Sequence, residues 1–251
     1  VIYDEDASST LDLSASDVDE DDLTFSISGG TNITATLVDS QVTFTSVLDF
    51  NGSETFAVSV TDSEYTDSQI ITATVNAIND APSLESISDQ SMNEGGTKVL
   101  LLSASDVDED ELTYSITDGT NILSSIDGST ITFSVIDDDW NGSEEFTASV
   151  TDGEYPQDQT FTVTVEGVND APVLAEVSDV TYNEDLSSTL DLSASDVDGD
   201  ALTFSAADGD SDISVDGTTL TITPPADYNG SDAITVTVTD GDLSDSTTFT
   251  L

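Results

Sequence analysis

The 251-residue sequence has no cysteine, no histidine and only one basic residue, Lys98. Without cysteine, the chain can form neither disulfides nor thiolate metal sites. Without histidine or arginine, it lacks the usual activating base of a nucleophile and the guanidinium fork that holds phosphate or carboxylate. The 53 Asp and Glu residues leave a net charge of −52. Because nucleic acid and anionic membranes would repel such a chain, we expect neither as a partner.

Long apolar runs and helical periodicity are also missing. No apolar segment approaches the roughly 20 residues of a membrane-spanning helix, so direct membrane insertion is not expected, and no signal peptide begins at Val1. Apolar residues instead alternate with polar ones, as in Leu23, Phe25 and Ile27, which predicts half-buried strands. This strict alternation argues against the disorder that the net charge could otherwise indicate.

Three copies of one unit make up the sequence. The stretch SASDVDED at 14–21 recurs at 103–110 and, as SASDVDGD, at 193–200, with offsets of 89 and 90 residues. VNAINDAP at 75–82 recurs as VEGVNDAP at 165–172. A fixed period indicates one structural unit used repeatedly. The units run over 1–79, 80–169 and 170–251, and we expect the first and last to be truncated, so that the chain is a slice of a longer array.

Each unit contains about seven short strands separated by turn signals, a pattern typical of immunoglobulin-like sandwiches. Asp127-Gly128 and Asp216-Gly217 predict tight hairpins. The joints at 79–82 and 169–172 contain no glycine or serine tract, so they are not flexible linkers. The predicted fold is all-β, with three tandem seven-stranded Greek-key sandwiches joined end to end.

The repeated acids indicate a hard cation. Asp106 and Asp108 would lie on one face of an extended strand, about 7 Å apart, and Asp196 and Asp198 repeat the pair. Two carboxylates 4 Å apart repel by about 4 kcal/mol at an effective dielectric of 20. A cluster of such groups is favourable around Ca²⁺, which accepts about six to eight oxygens, whereas Mg²⁺ prefers a stricter octahedron and keeps its waters.

An EF-hand does not explain the acids. In the second unit its sixth position is Glu111 rather than glycine, and its twelfth is Thr117 rather than glutamate. The other units have Ser28 and Ala207 at the twelfth position.

The joints and acids together resemble the cadherins, and in particular the bacterial cadherin-like tandem repeats of large surface adhesins and secreted polysaccharide-active proteins. The resemblance covers the whole chain. NDAP is similar to the Asn-Asp joint between cadherin domains, and SDVD to the Asp-x-Asp of the following domain. Glu5 and Glu94 stand at the position of the early cadherin glutamate. Residues 49–51 and 139–141 resemble the acidic tripeptide before the penultimate strand, and Asp152 and Asp240 match the aspartate that ends that strand.

The resemblance implies calcium at both joints. The first joint would use Glu5, Asp49, Asn51, Asn79, Asp80, Asp106, Asp108 and Asp152. The second would use Glu94, Asp139, Asn141, Asn169, Asp170, Asp196, Asp198 and Asp240. Asparagine replaces the last acid of the tripeptide, and Ala77 and Gly167 replace the aspartate that usually opens the joint, so about one to three ions per joint are expected. By the same positions, Asp17, Asp19 and Asp62 belong to a preceding joint, and Glu184, Asp227 and Asn229 to a following one.

Two functions are consistent with these features. The first is a calcium-stiffened extender in a secreted or surface-anchored bacterial adhesin. The second is a calcium-dependent module that binds polysaccharide or another copy of itself, which needs an exposed aromatic or apolar patch. Enzymatic activity is not expected, because paired carboxylates copied in three small sandwiches without a cleft-building loop indicate structure rather than glycoside hydrolysis.

Some residues have simpler interpretations. Phe50, Trp140 and Tyr228 share one position and are expected to cover the end of the core rather than to stack on sugar. The three Asn-Gly-Ser stretches match the N-glycosylation sequon, but their Asn-Gly pairs are explained by turns without any attached sugar. Scattered acids such as Asp210 and Asp245 are expected to hold hydration water.

Overall fold

A computed structural model describes residues 1–183, 185–207 and 211–251. These residues form strands, turns and irregular segments and contain no helix, so they also contain no helical segment that could cross a membrane. The strands fall into three groups, each a sandwich of two sheets. The all-β fold of tandem Ig-like sandwiches is therefore confirmed.

The first sandwich has seven strands. They are β1 (Ile2–Asp4), β2 (Ser8–Asp12), β3 (Thr24–Gly29), β4 (Ile33–Val38), β5 (Gln41–Ser46), β6 (Gly52–Thr61) and β7 (Thr66–Asn76). One sheet has the order β1-β7-β6-β3 and the other β2-β5-β4. β1 runs parallel to β7, and the other pairs are antiparallel. The chain crosses between the sheets at four connections, β1-β2, β2-β3, β3-β4 and β5-β6, as in a Greek key, whereas β4-β5 and β6-β7 are hairpins within one sheet.

The second sandwich repeats this plan and adds a short ladder. Its strands are β8 (Ser83–Leu84), β9 (Gln90–Asn93), β10 (Thr97–Leu101), β11 (Ala104–Ser105), β12 (Thr113–Ile116), β13 (Ile122–Asp127), β14 (Thr130–Val135), β15 (Gly142–Thr151) and β16 (Pro156–Glu166). The sheets are β12-β15-β16-β9 and β10-β14-β13, and β8 pairs with β11. Lys98 lies on β10.

The third sandwich has the same order. Its strands are β17 (Val173–Leu174), β18 (Ser188–Asp191), β19 (Ala194–Ser195), β20 (Thr203–Ala207), β21 (Asp212–Asp216), β22 (Thr219–Thr223), β23 (Ala233–Thr239) and β24 (Ser244–Thr250). The sheets are β20-β23-β24 and β18-β22-β21, and β17 pairs with β19. Where the other sandwiches have their parallel strand, the Val180 amide donates to the Thr250 carbonyl at 3.0 Å.

Each sandwich has its own core. The rings of Phe44 and Phe56 pack edge to face in the first, with centroids 5.3 Å apart, and those of Phe133 and Phe146 in the second at 5.0 Å. Such pairs contribute about 0.5–1.5 kcal/mol beyond area burial. In the third core the aliphatic Ile222 is buried at the position that Phe44 and Phe133 hold in the other two cores. Separate cores leave the short joints as the covalent connections between units.

Turns and strand ends position the acids. The predicted hairpins form at Asp127-Gly128 and Asp216-Gly217, where the glycines have φ of +57° and +60°. β7 ends at Asn76 and β8 begins at Ser83, so the first joint is a short connection over 77–82. β16 ends at Glu166 and β17 begins at Val173, which leaves 167–172 for the second.

Candidate metal centres at the domain joints

The first joint brings together carboxylates from three segments. Glu5 follows β1 in the first sandwich, Asp80 lies in the joint, and Asp108 follows β11 in the second sandwich. One carboxylate oxygen from each lies within 4.8 Å of the others. Glu5 is only 6% exposed, and its Oε1 accepts a hydrogen bond from the Ile78 amide. The structure thus assembles three of the sequence-predicted ligands across the boundary between two units.

Asp80 is the central acid of this joint. Its backbone amide donates to Oδ2 of Asp108 at 2.8 Å. Burial raises the pKa of the Asp80 carboxyl, and the negative charges of Asp49 and Asp108, then of Asp6 and Glu5, raise this pKa further. Its Oδ2 is buried and has no hydrogen-bond partner among the described residues. Such an oxygen is unfavourable unless a cation or proton compensates it.

A second group in the first joint contains an acid that the sequence analysis missed. Asp6, Asp49 and Asp80 place one carboxylate oxygen each within 4.8 Å of the others. Oδ1 of Asp6 also accepts a hydrogen bond from the Asp49 amide at 3.3 Å. The equivalent residue is Gly95 in the second unit. A search for acids fixed in every unit therefore passes over Asp6, although it directly follows the predicted ligand Glu5.

The Asp-x-Asp motif differs from the extended pair that the sequence predicts. β11 ends at Ser105, so Asp106 and Asp108 lie in a loop, where Oδ1 of Asp106 accepts hydrogen bonds from the amides of Asp108 and Asp110. The loop brings one oxygen of each of these three acids within 4.8 Å of the others. Oδ2 of Asp106 is buried without a hydrogen-bond partner in the described chain. Asp110 was also missed, although Asp21 and Asp200 repeat it and periodicity would have found it.

Asn79 connects the joint to the next sandwich. Its Nδ2 donates to Oδ2 of Asp152 at 2.9 Å, and Oδ1 of Asp152 accepts from the amides of Glu154 and Tyr155 at 2.7 Å. The Tyr155 amide is the largest influence on the pKa of Asp152, which is lowered despite partial desolvation. Asp152 is therefore ionised at neutral pH, and the hydrogen bond that it accepts from Asn79 holds it beside the joint.

The second joint repeats the first. Glu94, Asp170 and Asp198 place one carboxylate oxygen each within 4.8 Å of the others. The Asp170 amide donates to Oδ2 of Asp198 at 2.8 Å, and the Val168 amide to Oε1 of Glu94 at 2.6 Å. Nδ2 of Asn169 donates to Oδ2 of Asp240 at 3.0 Å. The bonds of the first joint thus recur at the equivalent positions.

The electrostatics of the second joint follow the same pattern. Burial raises the pKa of Asp170, and the charges of Asp139, Asp198, Glu94 and Asp196 raise it further, in that order. The charges of the predicted ligands Asp139 and Asp196 thus act on Asp170. Oε2 of Glu94 and Oδ2 of Asp196 are buried without hydrogen-bond partners in the described ranges.

The remaining predicted residues vary in what the structure shows. Asn141 lies beside the second joint, its Nδ2 3.4 Å from where a Cβ on Gly167 would stand. Asn51 is exposed and directly precedes β6, and its role as a ligand stays a prediction. In the SDVD loop of the first unit, Oδ1 of Asp17 accepts from the Asp19 amide at 2.8 Å. Glu184 and Asp210 lie outside the described residues.

The donor set fits a hard cation. Across the two joints, buried carboxylate oxygens without a partner belong to Asp80, Asp106, Glu94 and Asp196. The single side-chain cation of the sequence, Lys98, lies on β10 rather than in a joint. Several carboxylate oxygens grouped together, without nitrogen or sulfur ligands, are the kind of ligand set that Ca²⁺ accepts. Among the described residues, no side-chain cation lies in either joint to balance these carboxylates.

The shared aromatic position contacts the core. Trp140 is half-buried and packs against the core of the second sandwich, and Phe50 does the same in the first. The Trp140 ring lies 2.7 Å from where a Cβ on Gly142 would stand, so it covers the backbone at that glycine. This geometry agrees with the expectation that these rings cover the core ends.

Comparison with known families decides the assignment. A family model described as bacterial Ig domain matches residues 1–75, 79–166 and 169–251. The chain belongs to the bacterial Ig domain family. Its tandem domains resemble the crystal structure of mouse protocadherin-24 EC1-3, with a TM-score of 0.53 and 19% identity over 100% of this chain and 95% of that one. This likeness shows the fold and agrees with the cadherin-like repeats expected from the sequence.

Two relatives are much longer proteins. Chitinase A of Pseudoalteromonas piscicida is 37% identical over 105 residues, which make up 41% of this chain and 13% of that protein. An endo-fucoidan hydrolase of glycoside hydrolase family 107 matches 91% of this chain and 38% of its own, with 19% identity and a TM-score of 0.33. This chain thus covers well under half the length of either protein.

Proposed function

We propose that this chain is a calcium-rigidified extender of a secreted or cell-surface bacterial protein, with Ca²⁺ held at the joints between its Ig domains. The observation that carries the proposal is the convergence, at both joints, of carboxylates from two neighbouring domains, several with buried oxygens that lack a partner. Extracellular calcium modules bind with dissociation constants of about 10⁻⁴–10⁻³ M, which suits a calcium-rich exterior.

The residues would act as a clamp between domains. Glu5 belongs to the preceding domain, Asp108 to the following one, and Asp80 to the joint between them. Ca²⁺ would supply the positive charge that offsets their repulsion. Without it, repulsion favours opening the joint, and with it the two domains are held in one orientation. Because the ion binds the folded form, it also raises stability by mass action.

The proposed role is mechanical rather than catalytic. The match to 13% of the length of a chitinase is consistent with a spacer that holds an enzyme or adhesive domain away from a surface. The acidic groups recur at two joints with the same hydrogen bonds, a pattern expected for a repeated structural device.

Small-angle X-ray scattering tests the proposal. The chain is measured with millimolar calcium, with excess chelator, and with chelator plus magnesium. We expect a narrow distribution of long particles with calcium and a broader, flexible ensemble with chelator, which magnesium does not reverse. A double variant, Asp80→Asn with Asp170→Asn, should change its scattering less than the parent chain does when millimolar calcium replaces chelator. Identical scattering with calcium and chelator would overturn the proposal.

Carbohydrate binding is the second candidate, favoured by the similarity to a region of chitinase A. It predicts retention of the chain on insoluble chitin in the presence of calcium. Self-association under the same conditions would instead support homophilic adhesion. Sedimentation and chitin pull-down with and without chelator separate these outcomes from a purely mechanical role.

A further inference from the structure

Two kinds of asparagine lie at the joints. Asn79 and Asn169 are followed by aspartate, and the Nδ2 atom of each donates a hydrogen bond to a carboxylate, at 2.9 and 3.0 Å. Asn51 and Asn141 are followed by glycine instead, and both are exposed. Within the described part of the chain, neither of these two carboxamides makes a hydrogen bond. The Asn-Gly carboxamides are therefore free to react, whereas the Asn-Asp carboxamides are held.

An asparagine that precedes glycine is arranged to lose its side-chain amide. The glycine nitrogen bonds to Cγ of the asparagine, the Cγ–Nδ2 bond breaks, and the amide leaves as ammonia with the glycine proton. Water then opens the resulting five-membered imide at either carbonyl, which gives aspartate or isoaspartate. The net reaction consumes one water, exchanges an amide for a carboxylate and changes no oxidation state. Glycine favours this reaction because it has no Cβ to hinder the approach of its nitrogen.

Both reactive glycines stand at the first position of a strand. Gly142 begins β15 opposite Val165, and Gly52 begins β6 opposite Val75. The preceding asparagine lies outside the strand in each case. Because the ends of a ladder open locally at lower cost than its interior, the glycine nitrogen can reach the neighbouring Cγ without unfolding of the domain.

The side chain of Asn141 already touches the second joint. Its Nδ2 lies 3.4 Å and its Cγ 3.6 Å from where a Cβ on Gly167 would stand. The next residue of the joint, Val168, donates its amide to Oε1 of Glu94. Oε2 of Glu94 is buried and has no hydrogen-bond partner among the described residues. A carboxylate at position 141 would therefore add negative charge beside a predicted ligand.

Asn51 holds the equivalent place at the first joint. It follows Asp49 by two residues, and Asp49 places a carboxylate oxygen within 4.8 Å of those of Asp6 and Asp80. The strand pairing after Asn51 has the same register as that after Asn141, because both glycines face a valine two residues before the joint. Conversion at position 51 would thus act on the first joint in the same way.

We propose that Asn51 and Asn141 deamidate spontaneously in the folded chain, and that each conversion gives its joint one more carboxylate and a higher affinity for calcium. The gain in affinity rests on the function proposed above, whereas the deamidation itself does not. Each converted position adds one negative charge, so an aged chain has more repulsion in its ion-free joints and depends more on calcium than a freshly made one.

Peptide mapping by mass spectrometry tests the reaction. The folded chain is kept in chelator at pH 8 and sampled over several weeks, beside a sample unfolded in urea. We expect positions 51 and 141 of the folded chain to convert to aspartate and isoaspartate, while positions 79 and 169 stay amides. Absence of conversion at 51 and 141, or equal conversion at all four positions, would overturn the proposal. Conversion confined to the urea sample would also overturn it, because the folded strands would then block ring closure.

Calcium titration of the second joint, followed by the fluorescence of Trp140, tests the consequence. Asn141→Asp carries the aspartate product, and Asn141→Gln keeps an amide whose longer side chain cannot close the five-membered ring. We expect incubation to raise the affinity of the parent chain roughly tenfold, toward that of Asn141→Asp, and to leave the affinity of Asn141→Gln unchanged. If Asn141→Asp binds calcium no more tightly than the fresh parent, the gain in affinity is overturned.

The two readouts keep the proposals apart. If neither the fresh nor the aged chain binds calcium, the proposed joint sites and the gain in affinity both fail. The peptide map still decides in that case whether the two carboxamides react, because it does not depend on calcium.

Discussion

The backbone amide of Asp80 donates to Oδ2 of Asp108, 28 residues later, at 2.8 Å, and Asp170 makes the same bond to Asp198 at 2.8 Å. This bond holds one carboxylate of the following domain against the joint. On the other side, Glu5 accepts from the Ile78 amide. Hydrogen bonds thus set the path of the joint, while the carboxylates that they hold in place repel one another. The ion-free joint is positioned but electrostatically strained.

Asp80→Asn should change ion-free stability and calcium binding in opposite directions. Removing the charge relieves repulsion among acids, so the melting temperature in chelator should rise. The same change removes a ligand charge, so calcium affinity at the first joint should fall roughly tenfold or more. Calorimetric titration and thermal melts with and without chelator measure both effects. Asp118→Asn, at an exposed position outside the joints, serves as the control and should alter neither.

The raised pKa of Asp80 also gives a pH dependence. A carboxyl whose folded pKa is raised binds protons more readily in the folded, ion-free chain, so its stability contribution improves as pH falls through that pKa. Protons then compete with calcium. Calcium affinity should fall as the pH is lowered from neutral toward the raised pKa of Asp80, and the fall should be weaker in Asp80→Asn. A pH-independent affinity would contradict the crowding of these acids.

Exchanging the residues at positions 6 and 95 should change the calcium affinities of the two joints in opposite directions. Asp6 joins the acids of the first joint at a φ of +59°, and Gly95 occupies the same position of the second unit at +63°. A Cβ on Gly95 would meet nothing closer than 3.7 Å. Gly95→Asp should therefore fit and raise calcium affinity at the second joint by roughly tenfold, whereas Asp6→Gly should weaken the first joint. Tryptophan fluorescence can follow the second joint, because Trp140 directly follows Asp139. Loss of affinity in Gly95→Asp would argue that the added acid only increases repulsion.

Glu144 is a stability element away from the joints. Its carboxylate accepts hydrogen bonds from the backbone amides of Thr120, Asn121 and Ile122 at 2.8–3.3 Å. Despite an opposing desolvation effect, these bonds lower the pKa of Glu144. A lowered folded pKa means that the contribution is present above the unfolded pKa and is lost as pH falls through the folded value.

Glu144→Gln should therefore destabilise the second domain by about 1–3 kcal/mol at neutral pH and by less in acid. Urea unfolding at pH 7 and pH 3.5 measures the difference. Glu145→Gln, at the exposed neighbouring position, should change stability little at either pH. An equal loss of stability in both variants would argue against a stabilising role of the hydrogen bonds that Glu144 accepts.

Trp140→Ala separates core packing from glycan binding. Because the ring packs on Gly142 and the core, its removal should lower the stability of the second domain by about 2–4 kcal/mol without altering retention on chitin. Unfolding curves and a chitin pull-down measure the two effects. A stable variant that loses chitin binding would instead support the carbohydrate-binding candidate.

Periodicity carried most of the site prediction. Glu5, Asp80 and Asp108 recur as Glu94, Asp170 and Asp198 at offsets of 89, 90 and 90 residues, and the structure groups both triads. Asp6 escaped because only its three-dimensional neighbours identify it. The loop at Asp106 was not predicted, because hydrogen bonds from backbone amides, rather than strand periodicity, orient its carboxylates.

By itself, the sequence determined the class of fold, the three-fold repetition and the acidic character of the joints. These follow from period-two alternation, a 90-residue repeat and counted charges, which are properties of residue order. Only the tertiary structure decided which oxygens lie within reach of one another and which are buried without partners. Those features depend on distances between segments far apart in sequence, and the packing of two sheets and two neighbouring domains sets those distances.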